Sequence, residues 1–266
     1  MDGSLTLPTP RKIILSAITA LAPVLFAQQA TISAVPKATI EPVSATHHFP
    51  NSEVLHYDAE WRLWKAGTGT LRIDQAGDSE HVSGTAESSG AVALLYRVQD
   101  RLDSYFDRRT FCSERIIKHT EEGLHKRETT VTYDSRGISI LDERNLRNEE
   151  TKHQVTDSPA CVTDVLSGIY YVAAQKLEPG ITYLFPLNDG GKTFDVKAYV
   201  EGREEVKTDA GSFKTVRAAI YSDAGPLKGR GRVWIWYTDD AAHIPVQMRS
   251  RLFWGTMTLR LTRVEK

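Results

Sequence analysis

The chain has few cysteines and no surplus of charge. Its only two cysteines are Cys112 and Cys161, and if they are bonded to each other neither is left as a nucleophile. The 33 Lys and Arg against 34 Asp and Glu give a formal net charge of −1. That is not the basic surplus of a nucleic-acid binder, and no RNP-like or zinc-finger pattern is present. No G-x-S-x-G elbow occurs, and Ser83-Gly84 and Ser89-Gly90 read as turn dipeptides. Asp100, Asp103 and Asp107 do not have calcium-loop spacing. Asp239-Asp240 are adjacent, so their side chains diverge, and they read as a turn. These absences favour a protein that is not an enzyme, with no catalytic residues, cofactor or metal site.

What is present starts at the N-terminus. Arg11-Lys12 precede an apolar run from Ile13 to Phe26, and Leu25-Phe26-Ala27 precede Gln28. This predicts a signal peptide over 1–27, although Leu25 departs from the small residue usual three places before the cut. An uncleaved anchor is the alternative; the shortness of the run and Pro23 argue against it. No cysteine follows the run, so no lipid-attachment site is expected, nor any permanent transmembrane span after cleavage. Residues 28–52, rich in Ala, Thr, Ser and Pro, read as a flexible leader. His47-His48 within it are weak metal candidates. In an exported chain, Cys112 and Cys161 are expected to form a disulfide, two free buried thiols being the alternative.

Residues 53–266 read as a single β-rich domain. Leu55, Tyr57, Ala59, Trp61 and Leu63 alternate with His56, Asp58, Glu60 and Arg62, the period of a half-buried strand. Further alternating segments, with turns at Glu122-Gly123, Asn188 to Gly191 and Asp209 to Gly211, suggest a meander. One stretch differs. Val162, Leu166, Ile169, Ala173 and Leu177 recur at helical spacing, which predicts about four turns ended by Glu178-Pro179-Gly180. Ser158 or Thr163 is the expected cap, Asp164 falls in the first turn, and Ser167, Gln175 and Lys176 mark the wetter side. A lone amphipathic helix must lie on a sheet. The expected fold is mainly β: a strongly curved antiparallel sheet or open barrel of about ten strands, with one main α-helix packed on its concave side.

The aromatic residues are the candidate ligand-binding set: Trp61, Tyr170, Trp234 and Trp236. Trp234 and Trp236, two apart, share a sheet face, and Trp61 and Trp64 are expected on opposite faces. Such residues line an apolar pocket or fill the core. His119, Glu121, Glu122 and His125 flank a hairpin tip, where a solvated charged end outweighs a zinc site.

Several pieces also match a known pattern: Leu94-Leu95-Tyr96-Arg97-Val98-Gln99-Asp100-Arg101, Asp164 through Tyr170-Tyr171, Leu177-Glu178-Pro179-Gly180, Asp189-Gly190-Gly191-Lys192, Lys207 through Thr215, and Thr238-Asp239-Asp240 leading to Ile244-Pro245-Val246. In order and spacing they resemble the bacterial envelope family catalogued as domain of unknown function 3108, over roughly residues 54 to 264. Asp209 stands where that family often has proline. The resemblance implies export and an uncharacterised role, and it supplies no catalytic residues. The expectation is therefore an exported protein, periplasmic or outer-membrane-associated. It binds an apolar ligand such as a lipid or lipidated partner, or else acts as a structural or assembly factor through contacts with another envelope protein.

Overall fold

The computed structural model describes residues 37–43, 49–50, 52–62, 64–224, 228, 232–252 and 255–266. The expected signal peptide, His47-His48, Phe253 and Trp254 lie outside the described residues.

Alternation sets the architecture. In β1 (Ser52–Trp61) Leu55 and Tyr57 are buried while His56 and Asp58 are not, so one face turns inward. β2 (Trp64–Ala76), β3 (Ser79–Ser88), β4 (Val98–Asp107), β5 (Ser113–Glu122), β6 (His125–Asp134), β7 (Ile138–Asn145) and β8 (Thr151–Asp157) follow as a meander, interrupted by the short helix α1 (Gly90–Leu95). After helix α2 (Ser167–Ala173) come β9 (Thr182–Asp189), β10 (Lys192–Thr208), β11 (Gly211–Tyr221), β12 (Val233–Thr238), β13 (Pro245–Leu252) and β14 (Gly255–Glu265). The strands form one 14-stranded sheet in the order β8-β7-β6-β5-β4-β3-β2-β1-β14-β13-β12-β11-β10-β9. Its neighbours are antiparallel throughout, and β1 pairs with β14. The fold class is the expected one. The strand count is fourteen rather than about ten, because each turn-bounded segment pairs as a separate strand.

The sheet does not close by backbone pairing. Its edges, β8 and β9, are joined in sequence by residues 158–181, which carry α2 into the curl. Side chains bridge the gap: Lys118 pairs with Asp189, Tyr133 Oη donates to Asn188 at 3.5 Å, and Ser158 and Thr193 hydroxyls lie 3.4 Å apart. At Gly191 (φ +75°) a Cβ would lie 3.2 Å from Leu141 Cβ. Glycine there supplies both the left-handed turn and the close approach.

The central helix is shorter than its apolar spacing predicts. Residues before it are extended, since Thr163 bridges Leu187 in parallel fashion, with Thr163 N–H donating to Pro186 and Asn188 N–H to Thr163. Val162 and Leu177 are buried without being helical, so burial on two sides mimicked a helical stripe. Ser167 and Gln175, expected on a wet side, are buried too, whereas Lys176 is exposed. Trp61 and Trp64 do not lie on one strand. Arg62 takes φ +59° and turns the chain, making the two tryptophans cross-strand partners on the same side of the sheet. Within the stretch read as a leader, Ala38 is buried and Ile40, Val43 and Phe49 pack on the core. There Thr39 N–H donates to Leu184 O at 3.2 Å.

The disulfide between Cys112 and Cys161 is formed, with Cα atoms 4.8 Å apart, inside the range the bond demands. Cys112 lies in the loop before β5 rather than within a strand.

Candidate functional site: a cavity beneath the central helix

Helix α2 is anchored on one side by Asp164, a carboxylate only 1% exposed. Its Oδ2 accepts from Ser104 Oγ at 2.6 Å and Ser113 Oγ at 2.7 Å. Its Oδ1 accepts from the N–H groups of Leu166 at 2.8 Å and Ser167 at 3.1 Å, the free donors that open a helix. Ser167 Oγ, 2.9 Å from Ser113 Oγ, also accepts Asp164 N–H. A buried carboxylate is tolerable when its lone pairs are filled in this way. The sequence offered Asp164 as a first-turn charge; the spacing Asp164-x-x-Ser167 was the available signal of a cap.

The rest of the segment is held through carbonyls. Tyr237 Oη donates to Ile169 O at 2.9 Å, His243 Nδ1 to Ala173 O at 2.6 Å, and Tyr183 Oη to Lys176 O at 2.8 Å. Burial pushes the Tyr57 and Tyr237 hydroxyls well up, with Tyr170 nearby adding to both, so they remain neutral donors.

Between α2 and the inner face of β9–β13 lies a cavity of about 210 Å3. Val165, Ile169 and Val172 face it from the helix segment, and Phe185, Val196 and Ile235 from the sheet. Two lining side chains can hydrogen-bond, and both are engaged: Asp189 with Lys118, and Ser222 Oγ with Asp195 O at 2.6 Å. The wall therefore offers an apolar guest contact area and no polar handle.

The predicted aromatic set does not assemble here. Trp234 and Trp236 stand on the outer face, because Val233, Ile235 and Tyr237 take the inner positions of β12. Trp236 is nonetheless only 4% exposed, packed between the guanidinium groups of Arg217 (5.8 Å) and Arg249 (5.2 Å). Its Nε1 donates to Glu204 at 2.8 Å. Trp61 ends β1 beneath Arg62, 5.4 Å away. Tyr170 is inside, but it sits beside Tyr57 and Tyr237 rather than on the cavity wall. Both faces of β12 are apolar in sequence, so alternation alone left its sidedness open. His119 lies 3.4 Å from Glu121 and 3.6 Å from Glu128. Among the described residues no group of three His, Cys, Asp or Glu is placed to hold a metal ion.

Residues 56–262 match the model of a family described as protein of unknown function, DUF3108. The chain belongs to the DUF3108 family. The match runs from β1 into β14 and so takes in the whole sheet and the cavity. No curated protein sequence matches this DUF3108 chain. Among solved structures it is similar to a β-barrel-like protein of domain of unknown function DUF1849 from Brucella abortus. That likeness has a TM-score of 0.55 and 10% identity, covering 80% of this chain and 97% of the other, and it supports the open-barrel fold. A candidate lipoprotein from Parabacteroides distasonis matches with a TM-score of 0.31 and 8% identity, covering 86% of this chain and 100% of that one. Among the described residues no helix is long and apolar enough to cross a membrane.

Proposed function

We propose that this DUF3108 protein is an exported, non-enzymatic protein of the cell envelope, periplasmic or outer-membrane-associated. Its cavity beneath α2 takes up an apolar ligand, a lipid chain or the chain of a lipidated partner. The observation that carries this reading is the cavity wall, apolar except for Asp189 and Ser222, each of which already holds a partner. A dry apolar cavity of about 150 Å3 in another protein takes up benzene, so about 210 Å3 admits a ring or the end of a chain. Export is supported by the N-terminal charge-then-apolar pattern and by the disulfide, which belongs in an oxidising compartment. The test is mass spectrometry of an organic extract of protein purified from the exported fraction. About one lipid per protein is expected; an extract without lipid, or protein retained in the cytoplasm, contradicts the reading.

One observation favours a second reading, a factor that docks on another envelope protein. Leu94, Leu95 and Tyr96 at the end of α1 are 89%, 86% and 48% exposed, and Leu124, which follows the Gly123 that lies against the Tyr96 ring, is 73% exposed, a cluster of apolar surface of the kind that marks an interaction site. If docking is the role, Leu94→Glu with Leu95→Glu abolishes it while leaving lipid content unchanged.

A further inference from the structure

We propose that the outer face of β12–β14, at the end beside the β1–β2 turn, is a binding site for a phosphate group. A groove of about 520 Å3 there is lined by five arginines, Arg62, Arg217, Arg249, Arg251 and Arg260, and by one carboxylate, Glu201. The arginines fall into two groups. Arg217 is neutralised by Glu201 at 2.6 Å and Glu204 at 2.8 Å, and Arg260 by Glu60 at 2.9 Å. Arg62, Arg249 and Arg251 meet no carboxylate among the described residues. Arg62 lies over Trp61 and Arg249 over Trp236, contacts that orient a guanidinium and leave its N–H edge free.

Register gathers this second group. Arg251 stands opposite Thr256 and Arg249 opposite Thr258, while Arg62 N–H donates to Thr256 O at 2.8 Å. Thr256 and Thr258 also line the groove. Arg62 is held at φ +59°, a backbone region uncommon for a residue other than glycine, asparagine or aspartate, which fixes where its side chain leaves the turn. Three uncompensated positive charges in one groove repel each other, and a bound anion relieves them. Guanidinium forks with two hydroxyls supply more donors than one carboxylate accepts. A phosphate, with three free oxygens and up to two charges, matches them better. The phosphate group is that of a soluble phosphorylated molecule or of a lipid headgroup.

The experiment compares wild type with Arg62→Gln/Arg251→Gln, both exposed positions, and with a control, Arg136→Gln, whose guanidinium pairs with Asp134 elsewhere. Each protein is titrated with pyrophosphate by calorimetry and sedimented with phosphatidylglycerol or phosphatidylcholine vesicles. Melting curves check that each is folded. The double variant is expected to lose about tenfold or more in affinity, in line with two charge-assisted bonds, while the control binds as wild type does. Arg249→Lys, which keeps charge without the fork, should fall between. Pyrophosphate binding supports a soluble source, and sedimentation with the anionic vesicles alone supports a headgroup. Binding of neither probe by wild type, or equal binding by the double variant, overturns the proposal.

Discussion

The two halves of the sheet treat the same helix differently. Facing β3–β7, the interior mixes polar with apolar side chains: Glu80, Ser104, Ser113, Thr129 and Ser139 are buried alongside Val82 and Phe106, and Ile116, Val131 and Leu141 form a small apolar cluster. Facing β9–β13, it is lined by Phe185, Val196, Ala218 and Ile235, and the cavity lies there. Against the first half, the bonds of a buried carboxylate fix the entry of α2. Against the second, hydrogen bonds from Tyr237, His243 and Tyr183 hold three carbonyls of the segment, while the side chains between them meet the sheet through apolar contact that leaves space for a guest. A helix held by its backbone over a loosely filled wall makes a site that can accept a ligand without unfolding.

The largest break in that contrast should come from the disulfide, which fastens the entry of the α2 segment to the loop before β5. It spans a sequence separation of 49, so the chain-entropy model assigns it about 4 kcal/mol. Cys112→Ser with Cys161→Ser is expected to lower stability by about that much in urea titrations. Hydrogen exchange should rise first in 161–177 and only later in β10–β14. Uniform loosening would contradict the idea that the bond acts on the helix.

Next in size is Asp164→Ala. It strips four hydrogen bonds from a buried centre and leaves two serine hydroxyls and two N–H groups short of a partner, a cost of about 3 kcal/mol. Urea unfolding measures it. A loss below about 1 kcal/mol would mean that the polar side does not fix the helix.

A smaller effect is expected near the start of β4, where Asp100 stands in register with Leu102 and Ser104. Asp100 is pushed up to about 6, first by burial and then by the neighbouring Glu122, while the N–H of Glu121 donates to it at 3.0 Å. An acid whose pKa rises on folding holds its proton more tightly in the folded state. Its destabilising effect is therefore complete above about pH 6 and fades as pH falls toward 3.8. Asp100 is partly open to solvent, so screening keeps the effect modest. Asp100→Asn should melt above wild type at pH 7.5, with the gap closing as pH falls from 6 to 4. A gap independent of pH would contradict the assignment.

Much of this fold was legible because strand alternation and turn residues are local signals. Leu55 and Tyr57 against His56 and Asp58 placed β1, and Asn188 to Gly191 placed the β9–β10 hairpin. The disulfide followed from two cysteines in a chain read as exported. The helix length was not legible, because Val162 and Leu177 owe their burial to tertiary contacts on extended segments, and spacing cannot separate that from a helical stripe. The sidedness of β12 was not legible for a related reason. Trp234 and Trp236 look like pocket residues beside Val233, Ile235 and Tyr237, and only the register against β11 and β13 puts the tryptophans outside, where arginines cover them.

Whether the cavity beneath α2 holds an apolar ligand is read by native mass spectrometry of wild type and Val165→Phe, purified side by side from the exported fraction. Val165 is half-buried at the cavity wall, so a phenyl ring can fill the space at a cost of about 1–3 kcal/mol if it overpacks. The expected result is wild type carrying one apolar adduct and the folded variant carrying none. Wild type without an adduct, or an adduct of equal occupancy in both proteins, would contradict the claim.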